Sequence, residues 1–358
     1  NGIGFPFLGQ NGFTIGIGNP NVLGNSLLRP EINTSWEGGF DLRLWQSRVR
    51  AAFTYYFSKS TDLIVVRPIA ATTGFSFYTS NAGEMENKGI EIDLDFDIVR
   101  NNNFTWTLGG NFTMNDNEVT KLAPGVEQFS IETAFTGIGS FAIVGQPYGA
   151  IFGTKWVRDD QGRLVIGEDG LPLVQDVDGF LGNPYPDFTA GVRNMFKYKG
   201  LALSALLDIR EGGVLWNGTY ARLNRIGRTQ ESADGRGNFY VIEGVKEDGS
   251  PNDTRISARN YFNTFVGDGG DYAVENAIQD GSWIRLREVT LAYDLPKFSS
   301  FLQGASIFVT GRNLWLSTDY KGVDPETSLT GAGSNVGGFD YFNMPSTRSY
   351  IVGLRANF

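Results

Sequence analysis

The chain has 358 residues, none of them Cys or His, and 39 Asp+Glu against 30 Lys+Arg give a formal charge of −9. The missing Cys exclude disulfides and thiolate chemistry, and the missing His exclude a Ser-His-Asp triad or an imidazole metal ligand within these residues. The acidic balance disfavours nucleic acid, which binds a basic stripe, and no apolar run reaches the roughly 18 residues of a transmembrane helix.

Asn1-Gly2-Ile3-Gly4 is neither an initiator Met nor the basic start of a signal peptide, so the expectation is that these residues continue a longer polypeptide. The Gly-rich run 12–18 precedes no helical pattern and makes no phosphate loop. From Ile32 onward the dominant signal is alternation with period two, the mark of strands with two different faces. In the first predicted strand Ile32, Trp36, Phe40, Leu42 and Leu44 oppose Asn33, Ser35, Glu37, Asp41 and Arg43. The second sets Val49, Ala51, Phe53, Tyr55 and Phe57 against Arg50, Thr54 and Ser58. The third is the cleanest: Ile90, Ile92, Leu94, Phe96 and Ile98 alternate with Glu91, Asp93, Asp95 and Asp97. The fourth sets Phe104, Trp106, Leu108, Phe112 and Met114 against Thr105, Thr107, Asn111, Thr113 and Asn115. Phe188 to Tyr198 and Leu201 to Arg210 alternate in the same way. The stretch Ser282 to Leu295 changes phase between Leu286 and Val289, as a bulge allows. Ala305 to Leu316 puts Ile307 and Val309 outward, and in the ninth strand Tyr350, Val352, Leu354, Ala356 and Phe358 oppose Ser349, Gly353, Arg355 and Asn357.

Most of these stretches run to about ten residues, the length a tilted strand needs to cross a bilayer, where soluble strands average nearer five or six. Trp36, Trp45, Tyr55, Tyr198, Tyr293, Trp315, Tyr350 and Phe358 sit near strand ends, as interfacial aromatic girdles do. Connections alternate strictly between short (46–47, 100–103, 199–200, 296–304) and long (59–83, 117–186, 211–281, 317–347). A soluble meander has no reason to sort its loops by side, whereas outer-membrane barrels pair short periplasmic turns with long extracellular loops. The predicted fold is therefore all-β, a transmembrane antiparallel β-barrel in the bacterial outer membrane, with odd strands descending to a periplasmic C-terminus. Parity assigns the apolar stretch Tyr148 to Val157 to an outer loop, and a short helix is expected around Val214 to Ile226. Nine strands is an odd number, and an open edge in lipid leaves backbone groups unsatisfied, so an odd number of further strands is expected upstream.

Four segments in this order resemble the C-terminal half of the SusC/RagA-like TonB-dependent outer-membrane transporters. They are Asn81-Ala82-Gly83-Glu84-Met85-Glu86-Asn87-Lys88-Gly89-Ile90-Glu91, the stretch Gly281 to Pro296, Gly311-Arg312-Asn313-Leu314 with Asp319 to Glu326, and the terminal strand ending in Phe358. The resemblance implies a barrel of about 22 strands with a plugged lumen. Residues 1–358 then form the C-terminal part of that barrel, the plug and upstream strands lying outside them. It further implies energised import of an oligomeric nutrient, glycan or peptide, with TonB and a SusD-like surface lipoprotein as partners and no cofactor. A passive porin or structural barrel is the alternative, which an upstream plug and TonB-box would exclude. An enzyme is the weakest reading, for want of His and of any nucleophile elbow.

The candidate substrate or lid contacts are the loop aromatics Trp216, Tyr220, Tyr240, Tyr261 and Tyr320, which suit stacking on sugar rings or a partner; packing among the loops is the plainer alternative. Glu91, Asp93, Asp95 and Asp97 are expected to face the lumen, either lining a wet wall or pairing with plug arginines. Carboxylates in one row on a strand do not flank a substrate from two sides, so a glycosidase pair is a poor reading of them. Asp159-Asp160-Gln161-Gly162 and Asp176-Val177-Asp178-Gly179 lack the spacing of a calcium loop and read as solvated turns. Tyr350, Leu354 and Phe358 resemble the C-terminal signal read by the barrel-assembly machinery, the alternative being simple contact with outer-membrane lipid.

Overall fold

A computed structural model describes residues 7–8, 14–15, 21–296, 304–330 and 336–357. All nine predicted strands form: β1 (Ile32–Leu44), β2 (Val49–Thr61), β3 (Gly83–Arg100), β4 (Phe104–Leu122), β5 (Phe188–Tyr198), β6 (Leu201–Glu211), β7 (Trp283–Leu295), β8 (Gly304–Ser317) and β9 (Ser349–Asn357). They make one nine-stranded antiparallel meander in which each strand pairs with its neighbours in sequence, β1 and β9 lying at the edges.

The register joins the apolar faces into one surface. Phe40 pairs with Phe53, and the row continues through Ile92, Phe112, Ala190, Ile209 and Ile284. A second row runs Trp106, Phe196, Leu203, Leu291, Val309, Val352. These side chains are exposed or half-buried: Phe40 is 54% exposed, Leu203 40% and Val352 74%. Water would not tolerate an apolar face of that extent, but hydrocarbon is its natural solvent.

The predicted bulge in β7 is present. Leu206 faces Glu288 and Leu207 faces Leu286, which leaves Arg287 as the extra residue. Because of it, Leu286 and Val289 both stay on the apolar side. A second bulge, in β3, was not anticipated: Asp97 faces Thr107 and Val99 faces Trp106, so Ile98 is surplus and Val99 takes its place in the outward row.

Three strands outrun their predicted ends. β2 reaches Thr61, β3 begins at Gly83 and β4 ends at Leu122. On the outward side these extensions carry ion pairs in place of apolar residues: Lys59–Glu86 and Lys88–Asp116 at 3.0 Å, Lys121–Glu84 at 3.1 Å. The apolar alternation stops there while the hydrogen-bond ladder continues.

The short turn at Lys199–Gly200 has φ of 44° and 87°, the mirror-image geometry that suits a two-residue hairpin. The turn 297–303 lies outside the described residues, as does most of the Gly-rich run 12–18.

The four long connections, L1 (62–82), L2 (123–187), L3 (212–282) and L4 (318–348), fold together. L2 builds a four-stranded sheet from Gln128–Phe135, Ile138–Ile143, Ala150–Gly153 and Gly179–Gly182, which places the Tyr148 to Val157 stretch in a loop as expected. L3 and L4 share a sheet in which Val214–Asn217 lies between Ile278–Asp280 and Phe339–Asp340. The expected helix from Val214 is thus corrected: its first four residues are strand, and helix α1 covers Gly218–Arg225. Two ladders claim Val214–Asn217, and the Asn217 side chain then accepts the Tyr220 N–H to start the helix.

Hydrophobic burial is concentrated in this cap. One cluster joins Ile138 and Ile151 of L2 to Trp216 and Val274 of L3 and Phe339 of L4. Another joins Val65 and Ala82 of L1 to Val119, Leu122, Phe129 and Ala142. A third joins Ile166 of L2 to Ile242 and Ile256 of L3. The cap therefore has the buried cores of a water-soluble domain, and the wall beneath it presents its apolar side chains outward.

Candidate functional site

Three of the five loop aromatics meet in one cleft of about 880 Å³ between L3 and L4. Tyr220 stands on α1. Tyr240 comes from the short strand Phe239–Tyr240, and Tyr261 opens the helical turn Tyr261–Phe265. The rings of Tyr240 and Tyr261 stack at 4.1 Å and 11°, with Phe262 edge-on to both. The Tyr220 phenol donates to the Glu231 carboxylate, and the Lys321 ammonium lies 3.1 Å from Glu231 and 5.5 Å from the Tyr220 ring centre. The Tyr220 hydrogen bond holds Glu231 below the usual carboxylate range, against partial burial and with help from Lys321. Burial first, and that carboxylate second, push the Tyr220 phenol up. The Glu231 bond raises Lys321. At neutral pH the cleft therefore holds an ionised carboxylate, an ammonium and a neutral phenol.

Trp216 and Tyr320 lie elsewhere, in the packing of the cap. Trp216 is 3% exposed; its ring lies parallel to Tyr341 and 4.9 Å from Phe135. Tyr320 is 5% exposed and donates to Asp340, which also accepts from the Thr219 hydroxyl.

The acidic row of β3 splits in two. Asp95 lies 2.8 Å from Arg193 and 3.6 Å from Arg50; Asp97 pairs with Arg50 at 3.2 Å and Arg100 at 3.6 Å and accepts from Thr107. Glu91 and Asp93 make no salt bridge among the described residues, and both are exposed on the face opposite the apolar one. Arginines of the wall itself serve Asp95 and Asp97.

The motif segments also find physical reasons. In the first, Asn81 clasps the Arg29 backbone on both sides and the Asp62 carbonyl, and Asn87 accepts from Asn117. Gly89 is bare because Tyr56 crosses it to reach Asn115; a Cβ there would lie 2.3 Å from the phenol oxygen. The second and third segments converge on a charged knot that sequence reasoning did not assign. Arg285 bonds Asp324 at 2.6 Å, and bulged Arg287 reaches Asp208, Glu326 and Asn313. The phase change between Leu286 and Val289 was the available signal.

Asp159 spends its carboxylate on Arg163 and on the N–H groups of Gln161 and Arg163, as a closed turn does. Tyr350 and Leu354 are 72% and 69% exposed on the outward face; Phe358 lies outside the described residues.

An antiparallel wall with one bare apolar face, and folded connections on one side only among the described residues, defines a segment of a membrane-spanning β-barrel. A family model, TonB dependent receptor-like, beta-barrel, matches residues 2–314, and the chain belongs to that family. Among relatives, it is 28% identical to TonB-dependent receptor P3 of Formosa agariphila, over 93% of this chain and 35% of that protein. It is 24% identical to TonB-dependent receptor SusC of Bacteroides thetaiotaomicron, over 93% of this chain and 32% of that protein. It superposes on the RagAB peptide importer in its open-open state with a TM-score of 0.67 at 22% identity, covering 91% of this chain and 34% of that one. The expected resemblance to SusC/RagA-like receptors is borne out, and the chain spans about a third of the length of the curated relatives it matches.

Proposed function

We propose that the chain forms part of the barrel of a TonB-dependent importer in the bacterial outer membrane, which carries an oligomeric nutrient, glycan or peptide. The observation that carries this reading is the continuous apolar face across nine strands, joined among the described residues to a folded cap on one side only. The cap is then extracellular, the short turns and the C-terminus are periplasmic, and Glu91, Asp93, Asp95 and Asp97 face the lumen. A plug and the TonB contact belong to parts of such a transporter that these nine strands do not include. A SusD-like lipoprotein closes over the cap, with Tyr220, Tyr240 and Tyr261 as substrate or lid contacts. The barrel-assembly machinery reads the terminal strand through Tyr350, Leu354 and Phe358.

Two measurements test this. Tags placed in L2 or L3 should bind antibody on unbroken cells, and a tag at Asn102 should not; labelling at Asn102 would reverse the topology. Uptake of oligosaccharide and peptide pools should fall to background when TonB is deleted. Uptake that persists without TonB identifies a passive channel and ends the import reading.

A further inference from the structure

We propose that the cleft between L3 and L4 binds a primary ammonium group on the imported ligand. This rests on the import reading for taking the cleft as a ligand contact. Aromatic faces and carboxylates attract cations by two routes, the ring quadrupole and direct charge. Here both line one space. Tyr220, Tyr240, Tyr261, Phe262 and Phe265 supply rings, and Glu231, Asp234, Asp280 and Asp319 supply four carboxylates against the single ammonium of Lys321.

Two further observations favour a cation over a neutral or anionic group. Asp234, Asp280 and Asp319 make no salt bridge among the described residues, so the cleft carries negative charge that the fold does not neutralise locally. One ammonium of the chain itself already occupies the niche. Lys321 Nζ sits at 3.1 Å from Glu231 with the Tyr220 ring beneath it, yet its side chain is 58% exposed. Lys321 shows the geometry in which the cleft accepts an ammonium, and it competes for that place.

The cleft has room for more than one side chain, so a ligand ammonium either displaces Lys321 from Glu231 or settles beside it, towards Asp319 and Asp280. The chemistry is shared by two ligand sources: a lysine-bearing peptide and an oligomer of amino sugars. Neither needs a metal or a cofactor to bind in this way.

The test is calorimetric titration of the intact outer-membrane protein in detergent with two pairs of probes. One pair is acetyl-Ala-Lys-Ala amide and its Nε-acetylated form; the other is glucosamine trimer and its fully N-acetylated form. Within at least one pair the ammonium form should bind about tenfold more tightly, the scale of a partly desolvated cation over aromatic rings. Whichever pair discriminates names the source. Glu231→Gln and Asp319→Asn should each reduce the preference.

Lys321→Met gives the decisive sign. Removing the internal competitor should tighten ammonium probes several-fold and leave the acetylated forms unchanged. If Lys321 instead grips an anionic or neutral ligand, the same substitution weakens binding, and the proposal fails. It also fails if ammonium and acetylated probes bind alike in both pairs. Glu231 and Lys321 are half-exposed surface residues, so these variants leave the fold intact. Binding in detergent does not depend on TonB. A tie between probes with TonB-dependent uptake intact overturns the ammonium site alone, and passive uptake with discrimination intact overturns the import reading alone.

Discussion

Trp216→Ala is expected to loosen the whole cap while the nine-stranded wall still assembles. The indole joins three connections: it packs near Phe135 of L2, lies on its own strand in L3, and meets Phe339 and Tyr341 of L4. Gly218 passes so close over it that a Cβ there would stand 2.3 Å from the ring, which leaves no side chain to fill the space. Truncating a fully buried Trp costs about 3–5 kcal/mol in lost packing and residual cavity. The wall does not share that loss, because its apolar face packs on lipid and its strands are held by their own ladder.

Limited proteolysis of the assembled protein should therefore cut L2, L3 and L4 rapidly in Trp216→Ala, with the barrel still resistant to detergent. Trp216→Phe is the control. The indole N–H has no hydrogen-bond acceptor among the described residues, so phenylalanine gives up volume and leaves no polar partner behind. A cap as resistant in Trp216→Ala as in the parent would show that the three connections are held by something other than this cluster. One practical consequence concerns binding tests. Trp216→Ala combined with Tyr220→Ala is a poor probe of ligand contact, since the first change damages the cap. Tyr220→Phe removes only a hydroxyl at the cleft and is the cleaner choice.

The wall was legible because lipid on one face and water on the other write a period of two into the residues themselves. Ile90 to Ile98 shows this most clearly, and even the slip at Arg287 left its mark as a phase change. The limits of β2, β3 and β4 were not legible, for a physical reason. Alternation records where lipid touches the strand, and above that level Lys59, Lys88 and Lys121 replace apolar residues without interrupting the ladder. The cap was opaque in detail. Val214 to Ile226 reads as one helix, yet Trp216 within its first four residues pairs with Ile278 and Phe339, 62 and 123 positions away. Long-range pairing of that kind overrides local preference and has no local signature. The same holds for the aromatics: nothing near Trp216 or Tyr220 in sequence tells which is buried and which lines the cleft.

Arg285→Ala is expected to release L4 from the rim of the wall. Arg285 and Asp324 have side chains only 3% and 4% exposed and lie 2.6 Å apart. Nη1 donates to the Ser346 hydroxyl at 2.9 Å, Nε lies 3.1 Å from Glu326, and that hydroxyl is itself bonded to Asp324. Asp324 stands near the start of L4 and Ser346 near its end, so one guanidinium on β7 pins both ends of the connection. Removing it strands a buried carboxylate, which costs about 3–5 kcal/mol. Arg285→Lys should fail nearly as badly, because a single ammonium cannot serve both partners in a fixed fork. Arg285→Met with Asp324→Leu should recover most of the loss, since neither charge then remains buried alone.

Acidity supplies an independent check. Burial by itself pushes the Asp324 carboxyl up, but Arg285, Ser346 and the Glu326 N–H outweigh it and hold the group below its ordinary value. A depressed carboxylate contributes its full stability above its unfolded pKa, about 3.9, and loses it as the pH falls through the folded value. Hydrogen exchange in residues 318–348 should therefore be slow and flat near neutrality and accelerate, beyond its intrinsic pH trend, only in strong acid. The single variants should exchange fast at neutral pH, and the double variant slowly at both. Should Arg285→Ala and the double variant exchange alike, the stranded charge is not what opens L4, and the clasp is no more than packing at the rim.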